Sequence, residues 1–117
     1  MQLREVAHSR AGDKGRLVNC SVIAFDERDY DWLVGVVTVD RVRAELGALV
    51  EGDITRYLVP ALGAMNFVMS RPRGQSVTRT LALDPHGKSL SSVLLGMHLP
   101  EPADGTTRQA GLERLSR

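Results

Sequence analysis

Eight consecutive residues, His8-Ser9-Arg10-Ala11-Gly12-Asp13-Lys14-Gly15, carry an imidazole, a guanidinium, a carboxylate, an ammonium and two glycines, and apolar runs lie on either side of them. Two kinds of chemistry fit that density of ionisable groups. Glycines at 12 and 15 permit left-handed backbone, so successive N–H groups can point into one concavity; Arg10, Lys14 and Arg16 add positive charge around it, which suits a phosphate or a carboxylate. Alternatively, His8, Asp13 and Lys14 serve as catalytic acid and base, which requires them to converge on one closed cavity. Set against both is a tight connection whose charges are simply solvated, with Asp13 capping the turn or orienting Lys14 or Arg10. Neither the phosphate-loop motif Gly-x-x-x-x-Gly-Lys-Ser/Thr nor the dinucleotide motif Gly-x-Gly-x-x-Gly occurs in the chain.

Further candidates lie outside this stretch. Ser70-Arg71-Pro72-Arg73-Gly74-Gln75 is a second polar connection, and a sheet that brings it beside the first makes one basic pocket from Arg71, Arg73 and the opening residues. Arg56 and Arg79 each sit on the apolar face of a strand, where a cation must pair, line a pocket or lie at an edge or interface; the edge is the commoner outcome. Asn66, between Met65 and Phe67, reads first as a buried hydrogen-bonding strut and second as a ligand contact. His86 and His98 form no metal pair with His8 or a cysteine, so no metal site and no cofactor are expected. The single cysteine, Cys20, excludes an internal disulfide and reads as a small buried hydrophobe.

These groups need a scaffold, and the chain supplies one. Its 117 residues fit one domain, and the net charge of +1 offers no general attraction for nucleic acid or an anionic membrane. With two Phe, two Tyr and one Trp, the chain is poor in platforms for stacking single-stranded bases. No apolar run reaches membrane-spanning length and no signal-peptide core is present, so a cytoplasmic protein is expected. Leu3 to Ala7 reads as a first strand, His8 to Arg16 as a loop, and Leu17 to Phe25 as a strand buried on much of both faces. Asp26 caps a helical turn through Tyr30, Trp32 and Leu33. Thr38 caps a helix with Val39, Val42, Leu46, Leu49 and Val50 on one stripe, ended by Gly52. Ile54 to Val59, Met65 to Met69 and Val77 to Leu83 read as strands, Asp84-Pro85-His86-Gly87 as a turn, and Ser89 as the cap of a helix through Leu90, Val93, Leu94 and Met97. Residues 100–117 lack a pattern and read as a flexible or partner-docked tail after a domain spanning 1–99. The order predicts an α+β fold, ferredoxin-like, with a mostly antiparallel sheet and helices on one face.

At this point the residues match a known pattern. Ala7 to Gly15, then Asn19, Val22-Ile23-Ala24, Asp29-Tyr30, Trp32-Leu33, Tyr57, Pro60, Ala64-Met65-Asn66-Phe67-Val68, Arg79-Thr80-Leu81, Asp84, Gly87-Lys88-Ser89-Leu90 and Leu94-Leu95 resemble, in order and spacing, the small domain of the acyclic terpene utilisation (AtuA-like) family. The likeness runs over residues 2 to 99. It implies the ferredoxin-like fold, a much larger domain ahead of this one in most members, and a link to breakdown of branched terpenoid acids as coenzyme A thioesters; it transfers no catalytic role. The resemblance, joined to the residue reading, gives a ligand-binding set of Arg10, Gly12, Lys14, Gly15, Asn19, Asn66, Arg71, Arg73 and Arg79. Three functional expectations follow: an accessory subunit that partners a large AtuA-like subunit and binds acyl-coenzyme A or another anion; a small enzyme using His8, Asp13 and Lys14; and a structural homo-oligomer that pairs through its open face and edges.

Overall fold

A computed structural model of the chain describes residues 1–70 and 90–101, with Lys14 described by its backbone alone. Two strands open the fold as a hairpin: β1 (Ala7–Lys14) and β2 (Leu17–Ala24), paired antiparallel from Ala7↔Ala24 to Lys14↔Leu17. Gly15, at φ 66°, makes the two-residue turn with Arg16 that closes the hairpin, a backbone state that a side chain disfavours. Two helices follow, α1 (Tyr30–Val36) and α2 (Val39–Leu46), then β3 (Glu51–Val59), β4 (Ala64–Ser70) and α3 (Leu90–Leu95).

The sheet order is β1-β2-β4-β3, with every neighbouring pair antiparallel. Strands β2 and β3 therefore run parallel, are joined through α1 and α2, and hold β4 between them, which is the split β-α-β unit of a ferredoxin-like α+β fold. The edge beside β2, which the last strand of a β-α-β-β-α-β chain would occupy, is filled here by the first strand. The stretch after α3 returns to that same end: Met97 accepts from the Leu3 N–H, Leu99 donates to Met1, and Gln2 bridges His98.

Local chemistry sets the boundaries. Asp26 accepts from the Arg28 N–H at 2.8 Å and starts the 3-10 turn Glu27–Asp29 that runs into α1, as the sequence predicts. Thr38 caps α2 by accepting from the Arg41 N–H at 3.2 Å. The helix ends at Leu46, not near Gly52, because Gly47 takes φ 53°; Gly52 lies inside β3, and Val50 reaches the core from the strand entry rather than from the helix stripe. One face of the sheet packs on the helices. Val18, Cys20, Val22, Met65, Phe67 and Met69 meet Leu33, Val37, Val42, Leu46 and Leu94 there, all buried.

The N-terminal third departs most from the sequence reading. Leu3–Glu5 is a 3-10 turn rather than a strand, and its Leu3 is fully buried. The expected polar loop at His8 to Arg16 is instead strand β1 to within one residue of the turn. Edge position explains this: among the described residues β1 bonds to β2 alone, so the strand tolerates small and charged residues that a central strand would not. Strand β2 is buried on one face only; Leu17 and Asn19 are exposed where burial on both faces was expected. The expected strand at Val77 to Leu83, the turn at Asp84 to Gly87, the Ser89 cap and the tail beyond Glu101 lie outside the described residues. Among the described residues no helix is long and apolar enough to cross a membrane.

Candidate functional site

Strand alternation sorts the opening cluster onto two faces. His8, Arg10 and Gly12 share the sheet face opposite the helices. Ser9, Ala11 and Asp13 project to the helix side, where Asp13 lies near the exposed tip of the hairpin. His8 and Asp13 are five residues apart on an extended strand, about 16 Å along its axis. Asp13 and Lys14 are consecutive, so their positions alternate between faces. The strand thus separates His8 from Asp13, two of the three acid-base candidates that a shared cavity must bring together. It also replaces the anticipated concavity of N–H groups: Gly12 is ladder backbone opposite Asn19, and only Gly15 of this stretch adopts positive φ.

What the sheet does bring together is a surface. Registers across the four strands give a row Arg10–Ser21–Asn66–Tyr57, a row Gly12–Asn19–Val68–Thr55 and a row His8–Ile23–Ala64–Val59. Three binding candidates from separate stretches of sequence, Arg10, Asn19 and Asn66, therefore share one face with His8. Asn66 is half-buried on it rather than a fully buried strut; alternation with buried Met65 and Phe67 puts it on the uncovered side. Gly12 has a steric role here. A Cβ at that position would lie 3.0 Å from Asn19 Oδ1, so the missing side chain leaves room for the Asn19 amide beside β1. Ser21 fixes its neighbour: its hydroxyl accepts from the Arg10 N–H at 3.1 Å and donates to the Arg10 carbonyl at 3.3 Å.

Aromatic rings flank these polar groups. Phe25 continues the alternation just past β2, held by its N–H donating to the Val6 carbonyl at 3.0 Å. Its ring stacks on His8, centroids 5.3 Å apart and planes 25° from parallel, and yet Phe25 is 60% exposed. Tyr57, 55% exposed, sits at the other end of the Arg10 row. Beside Phe25, the turn Ala24–Arg28 shapes a shallow depression of about 490 Å³. Of its two carboxylates, Asp26 and Glu27, the first accepts from Arg28 Nε and Nη2, each at 3.1 Å. Sequence reasoning did not single out Phe25, Ser21 or Tyr57 as site residues; the alternation of β2 was the signal available for the first two.

Other candidates have structural roles. Arg56 lies on β3, an edge strand among the described residues as expected, and it also pairs: Nη1 donates to the Val34 carbonyl at 2.7 Å and the Val37 carbonyl at 3.0 Å, at the C-terminal end of α1. Cys20 is buried, and burial pushes its thiol up from 9.0 to about 11, the opposite of an activated nucleophile. Among the described residues no group of three His, Cys, Asp or Glu could hold a metal ion. Arg71, Arg73 and Arg79 lie outside the described residues; β4 ends at Ser70, paired with Leu17 next to the hairpin turn.

Comparison with curated proteins and with solved structures returned no match. A family model does match: the AtuA ferredoxin-like domain, over residues 1–100. That range takes in every described strand and helix and the whole of the candidate face, and the chain belongs to the AtuA ferredoxin-like domain family.

Proposed function

We propose that this domain is a recognition module of acyl-coenzyme A breakdown, which works beside a larger AtuA-like partner and uses the face carrying His8, Arg10, Asn19 and Asn66 to bind an anionic ligand or the partner. One observation carries the reading: four polar residues from three strands, together with exposed Phe25 and Tyr57, share a sheet face that no helix among the described residues covers. A face whose only task is to meet water has no need of large exposed rings beside a cation, whereas binding surfaces are enriched in aromatic residues and Arg. The separation of His8 from Asp13 along and across one strand favours recognition over acid-base catalysis by this pair. The link to branched-acid thioesters comes from the family resemblance.

The test is association. The purified chain, mixed with a large AtuA-like protein from the same genome, is expected to co-elute in size-exclusion chromatography or to shift its thermal midpoint with coenzyme A thioesters. A ligand at a hundredfold its Kd stabilises by about 2.7 kcal/mol, which a melting curve resolves. Arg10→Glu is expected to abolish whichever of the two occurs. Neither association nor a ligand shift, or either one unaltered by Arg10→Glu, overturns the proposal.

A further inference from the structure

Ser21 lies at the centre of a compact group of donors on the uncovered face. It has four neighbours there: Arg10 directly across on β1, Asn66 directly across on β4, and Asn19 and Ile23 two residues away on its own strand. Directly opposed positions lie about 5 Å apart, and alternate positions along one strand about 7 Å. Three of the four neighbours end in N–H groups. The Arg10 guanidinium and both Asn amides have no hydrogen-bond partner among the described residues. Ser21 itself stays low, because its hydroxyl is tied to the Arg10 backbone, and so it forms a floor. Asn19 leans off β2 toward β1: a Cβ on Gly12 would stand 3.0 Å from its Oδ1 and 3.9 Å from its Nδ2, which carries the amide toward the strand of Arg10. Half-buried Ile23 closes the fourth side with apolar surface.

Donors on three sides of a low floor match a group that offers acceptors in three directions. A phosphate monoester has three terminal oxygens and close to two negative charges at pH 7. A carboxylate or a phosphodiester has two such oxygens and leaves one donor unmatched. N–H···O bonds of ordinary length put a donor nitrogen about 4 Å from phosphorus, which side chains rooted about 5–7 Å from Ser21 reach by leaning inward. Arg10 supplies the charge-assisted pair, and each carboxamide a neutral donor. The surroundings agree in sign. The rows that run from His8, Arg10 and Gly12 across the sheet contain no carboxylate, and Glu51, in the row beyond, lies 4.0 Å from the Arg16 guanidinium. From these observations we infer that the uncovered face binds a phosphate monoester over Ser21, held by Arg10, Asn19 and Asn66. The inference rests on the proposal that this face is the binding face and names the chemical group it takes. That group occurs on small phosphate esters and on the ribose of coenzyme A.

The decisive experiment titrates the isotopically labelled full chain at constant ionic strength, followed by backbone and side-chain amide shifts. Methyl phosphate, dimethyl phosphate, acetate, coenzyme A and dephospho-coenzyme A are added in separate arms. Methyl phosphate is expected to shift Arg10, Asn19, Ser21 and Asn66, and to bind about fivefold or more tightly than dimethyl phosphate or acetate. Coenzyme A bound more tightly than methyl phosphate identifies the cofactor as the source. Coenzyme A bound no more tightly identifies small esters, and either result supports the shared chemistry. Arg10→Gln is expected to weaken methyl phosphate by about tenfold or more, the range for a hydrogen bond to a charged group. Asn66→Asp keeps the side chain's shape, replaces a donor with a like charge, and is expected to abolish binding; where a circular dichroism melt shows it unfolded, Asn19→Asp at an exposed position makes the same test. Arg41→Gln, at an exposed position on α2, is expected to stay within twofold of the parent, and a loss equal to that of Arg10→Gln overturns the inference as general charge attraction. Acetate, dimethyl phosphate or dephospho-coenzyme A binding these residues as tightly as methyl phosphate overturns it too. So do shifts centred elsewhere or no saturable binding. Absence of phosphate binding alone, with association to the large partner retained and still sensitive to Arg10→Glu, leaves the recognition module standing; absence of both removes it as well.

Discussion

The two faces of this sheet share the same strands and backbone, yet they are different materials. On β4, Met65, Phe67 and Met69 are each no more than 1% exposed, while Asn66 and Val68 between them are only half-buried. On β2, Val18, Cys20 and Val22 face the helices, and Asn19, Ser21 and Ile23 face away. One parity carries the fold and the other carries the candidate function. The difference teaches where each kind of substitution acts: stability responds on the helix side and, on the proposed reading, recognition on the other.

The largest effect is expected at the centre of the covered face. Phe67 is fully buried on central strand β4, packed among residues of both the sheet and the helices. Phe67→Ala removes that volume from a close-packed core, at a cost of about 3–5 kcal/mol. Urea unfolding measures it, and a loss below about 1 kcal/mol would mean the helices do not seal this face.

Alkaline pH probes the same face chemically. The buried Cys20 thiol ionises near 11 in the fold and near 9.0 when exposed. An acid whose folded pKa is raised contributes fully below the unfolded value, and that contribution is lost as pH rises from about 9 to about 11. The loss amounts to at most about 3 kcal/mol. Urea midpoints of the parent should therefore fall more steeply over this window than those of Cys20→Ala. Parallel slopes would show that the thiol is not sealed from water.

Arg56 tests the rim, where the covered face meets its helix. Its two bonds to the Val34 and Val37 carbonyls hold the end of α1 against β3. Arg56→Met keeps an apolar stem and deletes the charged donors, and about 2 kcal/mol is expected from a denaturation curve, the range for hydrogen bonds to a charged group. A neutral result would assign Arg56 to the exposed edge alone.

The sequence made the covered face readable and the uncovered one much less so. Val42 and Leu46 at helical spacing, the Thr38 cap and the apolar positions of β2 and β4 each follow from a local rule, and together they led to the α+β architecture. The opening cluster misled because charge and glycine density look the same in a loop and in an edge strand. What distinguishes them is the pairing of Ala7 through Lys14 with β2, which is decided by the hairpin turn at Gly15 and by the closing of the sheet. Alternation alone would then have split His8 and Arg10 from Asp13. The meeting of Arg10 with Asn66 and Tyr57 was beyond local reading, since it depends on β4 inserting between β2 and β3. The stack of Phe25 on His8 likewise needs the diagonal register at the end of the hairpin.

The smallest effect on stability, and the sharpest contrast with Phe67, is expected at Phe25. Both are phenylalanines, and they differ in burial from 0% to 60% exposed. Removing an exposed ring opens no cavity, so the transfer and packing penalties that dominate at Phe67 are absent. The stack on His8 is the main interaction that the substitution removes, and at an exposed site such a stack lies at the low end of the range for aromatic pairs. Phe25→Ser should therefore change unfolding free energy by no more than about 0.5 kcal/mol in the urea experiment that detects Phe67→Ala. A destabilisation approaching 2 kcal/mol would show that Phe25 holds the hairpin to the N-terminal turn, and its exposure would then be a structural compromise. A small change leaves an exposed ring that the fold does not need, on the same sheet face as Arg10, Asn19 and Asn66, which is what the proposed recognition role requires of it.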